Sequence, residues 1–440
     1  MLKITKLILA TAFTFASSSA WSMSLEEAVA VTIATDPELK SAFNDFMSTR
    51  QDIDAAQGDY YPDIDLSAGY GYEYINNSST KAGGDKSFNR KDANLSLTQL
   101  IWDGSTLNNI DRTEYEAEAQ RFQLLSDAQD KTLTVTEAYV SVLLSQQLLA
   151  LSEDNVGVHE KIKSDIERRA ESGIGSTADL SQIEARVARA ITNMLAARSN
   201  VIDAETEFFR LVGLEIESPV DPEVDQLFLP SSLKEAVNVA FELNPVIRLA
   251  THDIDAARAQ YRQNKGNFYP TFTVEANQSW TNDANGVEES VDEFSAMLRM
   301  RWNLYNGGSD KANTKRSAYQ LNKSKDIFEN AARLLKESTR LAWSAYELTE
   351  EQKKFLADHV DAASETVIAY EKQFKIGRRT LLDLLNTENE LFEARRSYLD
   401  AHYANINAKY RVLNSTGMLL DALRIDVPQE WQEPVVNNEG

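Results

Sequence analysis

Residues 105–172 read STLNNIDRTEYEAEAQRFQLLSDAQDKTLTVTEAYVSVLLSQQLLALSEDNVGVHEKIKSDIERRAES. This stretch has no proline, and its only glycine is Gly157. Its apolar residues recur at helical spacing, for example at Leu133, Val140, Leu144, Leu148 and Leu151. A continuous helix of this length would extend roughly 100 Å at about 1.5 Å per residue. A compact domain of this size is far narrower, so the helix needs partners of comparable length from the rest of the chain.

The first 22 residues have the composition of a secretory signal peptide. Lys3 and Lys6 precede an apolar run at 7–16, and the small residues 17–20 lead to Ala20-Trp21-Ser22. A basic start, a short apolar centre and small residues before a cleavage site are typical of such peptides. The apolar run is too short to cross a bilayer. We therefore expect cleavage and a mature chain that starts near Met23.

The composition argues against several classes of function. A formal net charge of -23 disfavours nucleic acid as a partner and suits the envelope surface of a cell. There is no cysteine, which excludes disulfides, thiolate metal sites and a lipid-anchoring cysteine. The four histidines are widely scattered, and no Ser/His/Asp set, metal cluster or phosphate loop is recognisable. We therefore expect no enzyme activity, no metal and no cofactor.

The two halves of the sequence share an ordered series of landmarks. The segment SLEEAV at 24–29 corresponds to SLKEAV at 232–237. Further pairs follow in the same order: Pro37 and Pro245, Gly58 and Gly266, Pro62 and Pro270, Gly104 and Gly307, Gly173 and Gly377, and Gly213 and Gly417. Such a series indicates a duplicated structural unit. We expect a first repeat at 23–213, a linker at 214–231, a second repeat at 232–417 and a C-terminal tail at 418–440. The proline-rich linker predicts a non-helical connector with a short strand at 226–229.

Each repeat contains a predicted β-hairpin, at 62–102 and at 270–304. From Ile64 to Tyr74 apolar and polar residues alternate strictly, and the alternation returns after a polar loop at 76–89 and again in the second repeat. A period of two over so many positions indicates strands with one apolar and one wet face. Aromatic residues near the strand ends favour a membrane interface. A small soluble sheet covering a helix is the alternative.

The remaining segments of each repeat predict helices. A capping-box spacing, Ser24 with Glu27 and Ser232 with Glu235, starts a helix of about 33 residues before each hairpin. A long helix follows each hairpin, at 105–172 and 309–375. Turns at 173–177 and 377–380 then reverse the chain into a shorter helix. The two shorter helices of a repeat, stacked end to end, match the length of the long one.

Apolar residues recur every seven positions along these helices, as in coiled-coil seams. One row on the last helix is Leu385, Phe392, Leu399, Ile406 and Leu413, and a second row of small residues on another face is Thr387, Ala394, Ala401, Ala408 and Ser415. A row on the preceding long helix is Leu334, Leu341, Leu348, Phe355, Ala362, Ala369 and Ile376. Two seams on one helix imply neighbours on both sides. The helices should therefore form a sheet or tube.

The predicted strands are too few to close a barrel, and lipid tolerates no open sheet edge. A membrane barrel would have to be shared between chains, with two, three or four copies supplying eight, twelve or sixteen strands. Twelve strands would leave a lumen, whereas eight would be filled by side chains.

These features together resemble the TolC family of outer-membrane efflux and secretion channels. The resemblance lies in the duplicated unit and in four motifs: Tyr60-Tyr61-Pro62 with Phe268-Tyr269-Pro270, Trp102-Asp103-Gly104, Tyr305-Asn306-Gly307-Gly308, and IGRRTLLDLL at 376–385. It covers nearly the whole mature chain. It implies an α+β membrane protein, a homotrimer whose shared 12-stranded transmembrane β-barrel in the outer membrane continues into a long periplasmic α-helical barrel. It also implies a passive duct that docks to a periplasmic adaptor protein and an inner-membrane transporter, expected to be of the ABC type.

The resemblance also implies an entrance gate at the periplasmic tip. Arg379 falls on the arginine with which the family closes this entrance, and Asp179 falls on its acidic partner. Asp383 falls on the first of two inward aspartates, whereas Asn386 replaces the second, which implies a weaker cation-selective constriction. Solvated tip charges are the alternative role for Arg379 and Asp179.

Other tip residues have separate implied roles. Phe374 and Ala178 replace a tyrosine and a threonine of the family's lock, so part of that lock is absent. Glycines at the turns suit backbone reversal, and we expect the turns to serve adaptor docking through Gly173, Gly175, Gly377 and Arg378.

The expected function is therefore passive export through the outer membrane of a Gram-negative bacterium. Type I protein secretion is favoured over drug or small-molecule efflux, because no lipid-anchoring cysteine follows the signal peptide. A non-channel coiled-coil envelope protein or adhesin is the alternative of another class. A periplasmic adaptor is disfavoured by the two-copy layout.

Overall fold

The computed structural model describes residues 23–83, 87–172, 176–216, 218–285 and 288–432. The predicted signal peptide, Gly173 and Gly175 lie outside the described residues, as does the end of the predicted tail at 433–440.

Apart from the short helix α3, the described elements follow the same order in the two halves of the chain. The first half contains α1 (Leu25–Thr35), α2 (Pro37–Gly58), β1 (Asp63–Tyr74), α3 (Ser78–Gly83), β2 (Ser87–Trp102), α4 (Gly104–Glu171) and α5 (Thr177–Val212). The second half contains α6 (Leu233–Leu243), α7 (Pro245–Gly266), β3 (Thr271–Asn282), β4 (Ser290–Arg301), α8 (Ser309–Lys375) and α9 (Leu381–Thr416). Two short helices, α10 (Leu419–Ala422) and α11 (Gln429–Gln432), follow. The helix α3 and the early start of β2 replace most of the polar loop expected at 76–89.

The helix starts follow from local capping chemistry. Ser24 and Glu27 form the expected reciprocal capping box. At the second site Ser232 accepts from the Glu235 N–H, but the Glu235 carboxylate accepts instead from the backbone and hydroxyl of Ser231, at 2.8 and 2.5 Å. Only the Ser232 half of the predicted capping box is therefore formed. The Glu235 carboxylate binds the N–H and the hydroxyl of Ser231, two donors, in place of the single N–H of Ser232.

The linker between the halves contains a turn where the short strand was predicted. Phe228 and Leu229 donate backbone hydrogen bonds three residues back, to Asp225 and Gln226. Helix side chains hold the linker instead of a strand partner. The Tyr139 hydroxyl accepts from the Val220 N–H at 2.8 Å, and the Tyr403 hydroxyl donates to Asp221 at 2.9 Å. The strand prediction at 226–229 was wrong because Asp225 starts a turn there, with its Oδ1 accepting from the Leu227 N–H at 3.0 Å.

The four strands form one antiparallel sheet in the order β1-β2-β3-β4. The register places Leu66 opposite Leu95, so the apolar residues of neighbouring strands share a face. Both faces are open in the single chain, and Leu66 and Leu298 are 72% and 73% exposed. Within the described residues, β1 and β4 are the two unpaired edges of the sheet.

The helices form a layer whose order changes along its length. Near the strands the order is α2-α4-α7-α8, and near the hairpin turns it is α5-α4-α9-α8. The long helices α4 and α8 run through both parts, and the shorter helices are stacked against them as the sequence predicts. The helix α8 is therefore one edge of the layer, while α2 and α5 are the other. None of the helices in the described ranges has the length and apolarity of a candidate membrane span.

The main apolar core lies where α1, α2, α4, α5 and α9 meet. Its largest fully buried side chains include Phe46, Tyr139, Phe208 and Tyr410. On α9 the row that contains Ile406 and Leu413 faces this core, whereas Ala394 of the small row packs with α8 residues. The expectation of neighbours on both sides of this helix is therefore met by α4 and α8.

A close backbone approach fixes α7 against the start of α4. Gly266 ends α7, and a Cβ there would lie 2.4 Å from the Ser105 nitrogen and 2.5 Å from the Gly104 carbonyl carbon. Gly58 ends α2 in the same way, but a Cβ there would meet nothing within 4 Å.

We expect Gly266→Ala to lower the free energy of unfolding by about 1–3 kcal/mol, because the backbone must shift. Urea unfolding of the purified protein measures this, and Gly58→Ala is the matched control, expected to change it by less than about 0.5 kcal/mol. Equal effects of the two substitutions would contradict the close-approach explanation.

Candidate functional site

The turn between α8 and α9 forms one tip of the helical layer. Gly377 has φ of 74°, in the left-handed region where a side chain is strained. Its N–H donates to the Phe374 carbonyl at 3.0 Å, and the Arg378 N–H donates to the Gln373 carbonyl at 2.9 Å. These bonds satisfy carbonyl groups at the end of α8 and reverse the chain.

The start of α9 is held by a reciprocal capping box. The Thr380 hydroxyl accepts from the Asp383 N–H at 3.2 Å, while the Asp383 carboxylate accepts from the Thr380 N–H and hydroxyl at 3.2 and 3.0 Å. These bonds from Thr380, with a smaller contribution from the Arg379 charge, lower the pKa of Asp383. Asp383 is therefore ionised at neutral pH and bound within its own turn.

Arg379 is exposed and bound to its own hairpin. Its Nε donates to Gln373 Oε1 at 3.1 Å, and its guanidinium carbon lies 4.2 Å from the centre of the Tyr370 ring. Asn386 is exposed on α9, one turn beyond Asp383. The Arg378 side chain at the turn is also exposed.

The second tip is formed by α4 and α5. The helix α4 ends at Glu171, and α5 starts after Ser176, whose hydroxyl accepts from the Ala178 N–H at 3.1 Å. Asp179 lies in the first turn of α5, where the helix dipole favours a negative charge.

The two tips pack together through an apolar cluster that sequence reasoning did not identify. Its buried members are Ile162, Ile166, Ile183, Leu381, Leu384 and Leu385. Beside it the Arg169 guanidinium lies 4.6 Å from the centre of the Phe374 ring. Phe374 was expected only to lack the hydrogen bond of the family's tyrosine at this position. In the structure its ring contacts the cation of Arg169, which belongs to the other helical hairpin. Basic residues in the last turn of α4 were the only sequence signal for this contact.

The structure does not bring Arg379 and Asp179 together within one chain. Among the described tip residues no hydrogen bond or ion pair joins them. Asp179 belongs to the edge helix α5, whereas Arg379 lies in the turn before α9, so α4 separates the helices that carry them.

The whole architecture was compared with known proteins. Residues 29–214 and 236–418 match the sequence model of the outer membrane efflux protein family. The chain belongs to this family. BepC of Brucella suis, an outer membrane efflux protein, is 28% identical over 340 residues, covering 76% of this chain and 74% of BepC. The alkaline protease secretion protein AprF of Pseudomonas aeruginosa is 23% identical over 414 residues, covering 92% of this chain and 86% of AprF. The outer membrane protein VceC of Vibrio cholerae has the same fold, with a TM-score of 0.77 at 15% identity over 92% of this chain and 97% of VceC.

Membership of the outer membrane efflux protein family confirms the resemblance to the TolC family. The protein is a passive channel protein of the Gram-negative outer membrane that extends into the periplasm, and it is not an enzyme. The alternative of a non-channel envelope protein or adhesin is thereby excluded.

Proposed function

We propose that the protein forms a homotrimeric duct that receives cargo from an inner-membrane transporter and a periplasmic adaptor and conducts it to the exterior. The observation that carries this proposal is an uncovered apolar row on the edge helix α8. Leu334, Leu341, Leu348 and Phe355 recur every seven residues and are 56%, 60%, 65% and 62% exposed. Ala362, Ala369 and Ile376 continue the row and are also exposed. Seven-residue spacing is that of a helix seam, yet no helix in the described part of the chain covers this row.

A second apolar row lies on α5, at the opposite edge of the layer. Leu195, Ile202 and Phe209 are also seven residues apart and are 53%, 58% and 49% exposed. Contact between two different edges of identical chains is heterologous, and it closes into a ring when the rotation allows. The two rows therefore support a ring in which α8 of each copy packs against α5 of the next.

The four-stranded sheet supports a particular number of copies. Three copies of a four-stranded sheet give twelve strands, enough for a barrel with an open lumen. The resemblance to the TolC family favours the same number.

Ring assembly predicts a strong effect of a charge on the α8 row. We expect Leu348→Glu to convert the trimer to monomers in detergent solution. Each joint loses roughly 2 kcal/mol of apolar burial, and the new carboxylate would be buried without a partner. Native mass spectrometry measures the oligomeric state. Lys354→Glu, on the exposed surface of α8 away from the row, is the control and should remain trimeric. A trimer of unchanged stability for Leu348→Glu would remove this row from the assembly.

We also propose that Arg379 and Asp179 close the periplasmic entrance between neighbouring copies. Since α8 and α5 are the two edges of the layer, a ring places the turn that carries Arg379 next to the α5 of another copy, which carries Asp179. Asp383 would contribute the acidic constriction, weakened by Asn386 at the next turn. Gly377, Arg378 and the turn with Gly173 and Gly175 would form the adaptor-docking surface.

The gate is tested by Arg379→Ala in planar lipid bilayers. Three exposed ion pairs of about 0.2–1 kcal/mol each would hold the closed state, so their loss should raise the open fraction several-fold. Lys372→Ala removes an exposed positive charge about two helical turns away and should leave the conductance unchanged. If Arg379→Ala conducts like the unmodified protein, Arg379 has no part in the lock.

For the cargo we propose type I protein secretion with an ABC-type transporter. The names of AprF of P. aeruginosa and of the proteases secretion protein PrtF of Dickeya chrysanthemi support this route. Drug or small-molecule efflux is the second candidate, supported by the names of the outer membrane efflux protein BepC and of the antibiotic efflux pump outer membrane protein ArpC of Pseudomonas putida.

Deletion of the gene separates the two routes. We expect the culture supernatant of the deletion strain to lose one or more secreted proteins, while the inhibitory concentrations of common drugs change less than twofold. Proteomics of the supernatant and drug susceptibility assays measure the two effects, and a plasmid copy of the gene should restore secretion. An unchanged supernatant with increased drug sensitivity would favour efflux instead.

A further inference from the structure

The polar face of the sheet is open except at the end that lies away from the helices. Among the described residues of the four strands only Phe88, near the start of β2, is buried, with 5% of its surface exposed. Glu73 lies directly opposite Phe88 and is the one residue of β1 that is not exposed. Because side chains alternate along a strand, Glu73 shares the polar face with Asp63. This end of the polar face is therefore covered.

Residues 283–285, which follow β3, reach across this end of the polar face. The strand β3 pairs with β2 as far as Asn282, and the Asn285 N–H then donates to Glu73 Oε2 on β1 at 2.9 Å. Since β2 lies between β3 and β1, the chain crosses β2 on its polar face. Asp283 and Asn285 have φ of 54° and 58°, a left-handed backbone that Asp and Asn adopt more readily than most residues. The sharp bend of the chain at this point is thus allowed by its sequence.

Glu73 holds this segment from a fixed position on the sheet. Its Oε1 accepts from Arg90 Nη1 at 3.2 Å, and Arg90 Nε donates to Asp92 Oδ1 at 2.9 Å. Asp92 lies over Gly69 on β1, where a Cβ would be 3.0 Å from the Asp92 carboxylate. The glycine lets this row of charges lie flat on the sheet. One oxygen of Glu73 is thereby bound to β2, and the other is bound to Asn285.

We propose that residues 283–285, latched to Glu73, form a constriction at the outer mouth of the duct and limit the size of what passes. This inference rests on the proposed homotrimer, in which the polar face lines the lumen and this end of the sheet faces the exterior. A barrel of twelve strands is about 24 Å across between backbones, from a strand spacing of about 4.8 Å and a tilt of about 40°. A segment that packs on a sheet extends up to about 10 Å from it. Three such segments leave an opening that suits an extended polypeptide or a small molecule and excludes bulky polar solutes of the medium.

A single cysteine in the lumen tests the constriction from outside, because the natural sequence contains none. Ser67 is exposed on the polar face of β1, about 20 Å along the strand from Glu73. We expect a short membrane-impermeant maleimide, added to intact cells, to label Ser67→Cys. A maleimide that carries a long polyethylene glycol chain should label it several-fold more slowly, relative to the rates of both reagents with a free thiol. Equal relative rates would overturn the constriction.

The role of Glu73 is tested in the same Ser67→Cys background. Glu73→Ala removes the acceptor of the Asn285 N–H and should raise the labelling rate of the long reagent several-fold without changing that of the short one. Glu73→Gln keeps an oxygen for this N–H and should retain most of the size limit. Glu293→Ala removes an exposed carboxylate from the same face of β4 and is the matched control, expected to change neither rate. If Glu73→Ala labels like the control, or Glu73→Gln labels like Glu73→Ala, the Glu73–Asn285 contact does not hold the constriction.

The constriction and the duct fail in different ways in this experiment. No labelling of Ser67→Cys by the short reagent, in cells whose outer membrane contains the protein, would contradict the duct, since the polar face would then line no water-filled lumen. Labelling without a size limit would contradict the constriction alone.

Discussion

The proposed assembly depends on apolar rows that no described helix of the same chain covers. In the single chain, α8 exposes Leu341, Leu348 and Phe355 along one edge, and α5 exposes Leu195, Ile202 and Phe209 along the other. Isolated exposed leucines are normal on protein surfaces, but a row at coiled-coil spacing is a helix interface. A chain that buries its main core among α1, α2, α4, α5 and α9 and exposes an apolar row at each edge supports the proposed ring of copies.

The two edges are continuous from the sheet to the tips. One edge consists of β1, α2 and α5, and the other consists of β4 and α8. The strand seam and the helix seam of the proposed ring therefore belong to one joint between copies. In the proposed ring this joint consists of the sheet edges, the apolar rows of the helical layer and the charges at the tips. A charge placed in the middle row should thus disturb the barrel and the entrance together.

The tip combines rigid local structure with charges left available for a neighbour. Asp383 is bound to Thr380 in a capping box, which keeps it ionised and fixes its position on α9. Among the described residues Arg379 contacts Gln373 and the Tyr370 ring, and its charge acts weakly on Asp383. An exposed arginine held in this way can exchange partners at small cost. That property suits a gate, whereas the buried cluster around Ile183 and Leu385 suits the rigid frame of the entrance.

The sequence alone determined the elements, because helix and strand periodicity and capping are local properties. The helix α8 lies at the predicted residues 309–375. The helices α2 and α7 start at Pro37 and Pro245, because a proline disfavours helical backbone at the residue before it. Motifs also indicated the family correctly. The predicted strand at 226–229 was wrong, because Asp225 turns the chain there through the Leu227 N–H. The second capping box was only half right, because Ser231 binds the Glu235 carboxylate. Only the tertiary structure decided which seven-residue rows are covered within the chain and which are left open, because the order of helices in a layer depends on contacts between residues far apart in sequence. For the same reason only the structure separated Asp179 from Arg379 within one chain and placed Arg169 on Phe374.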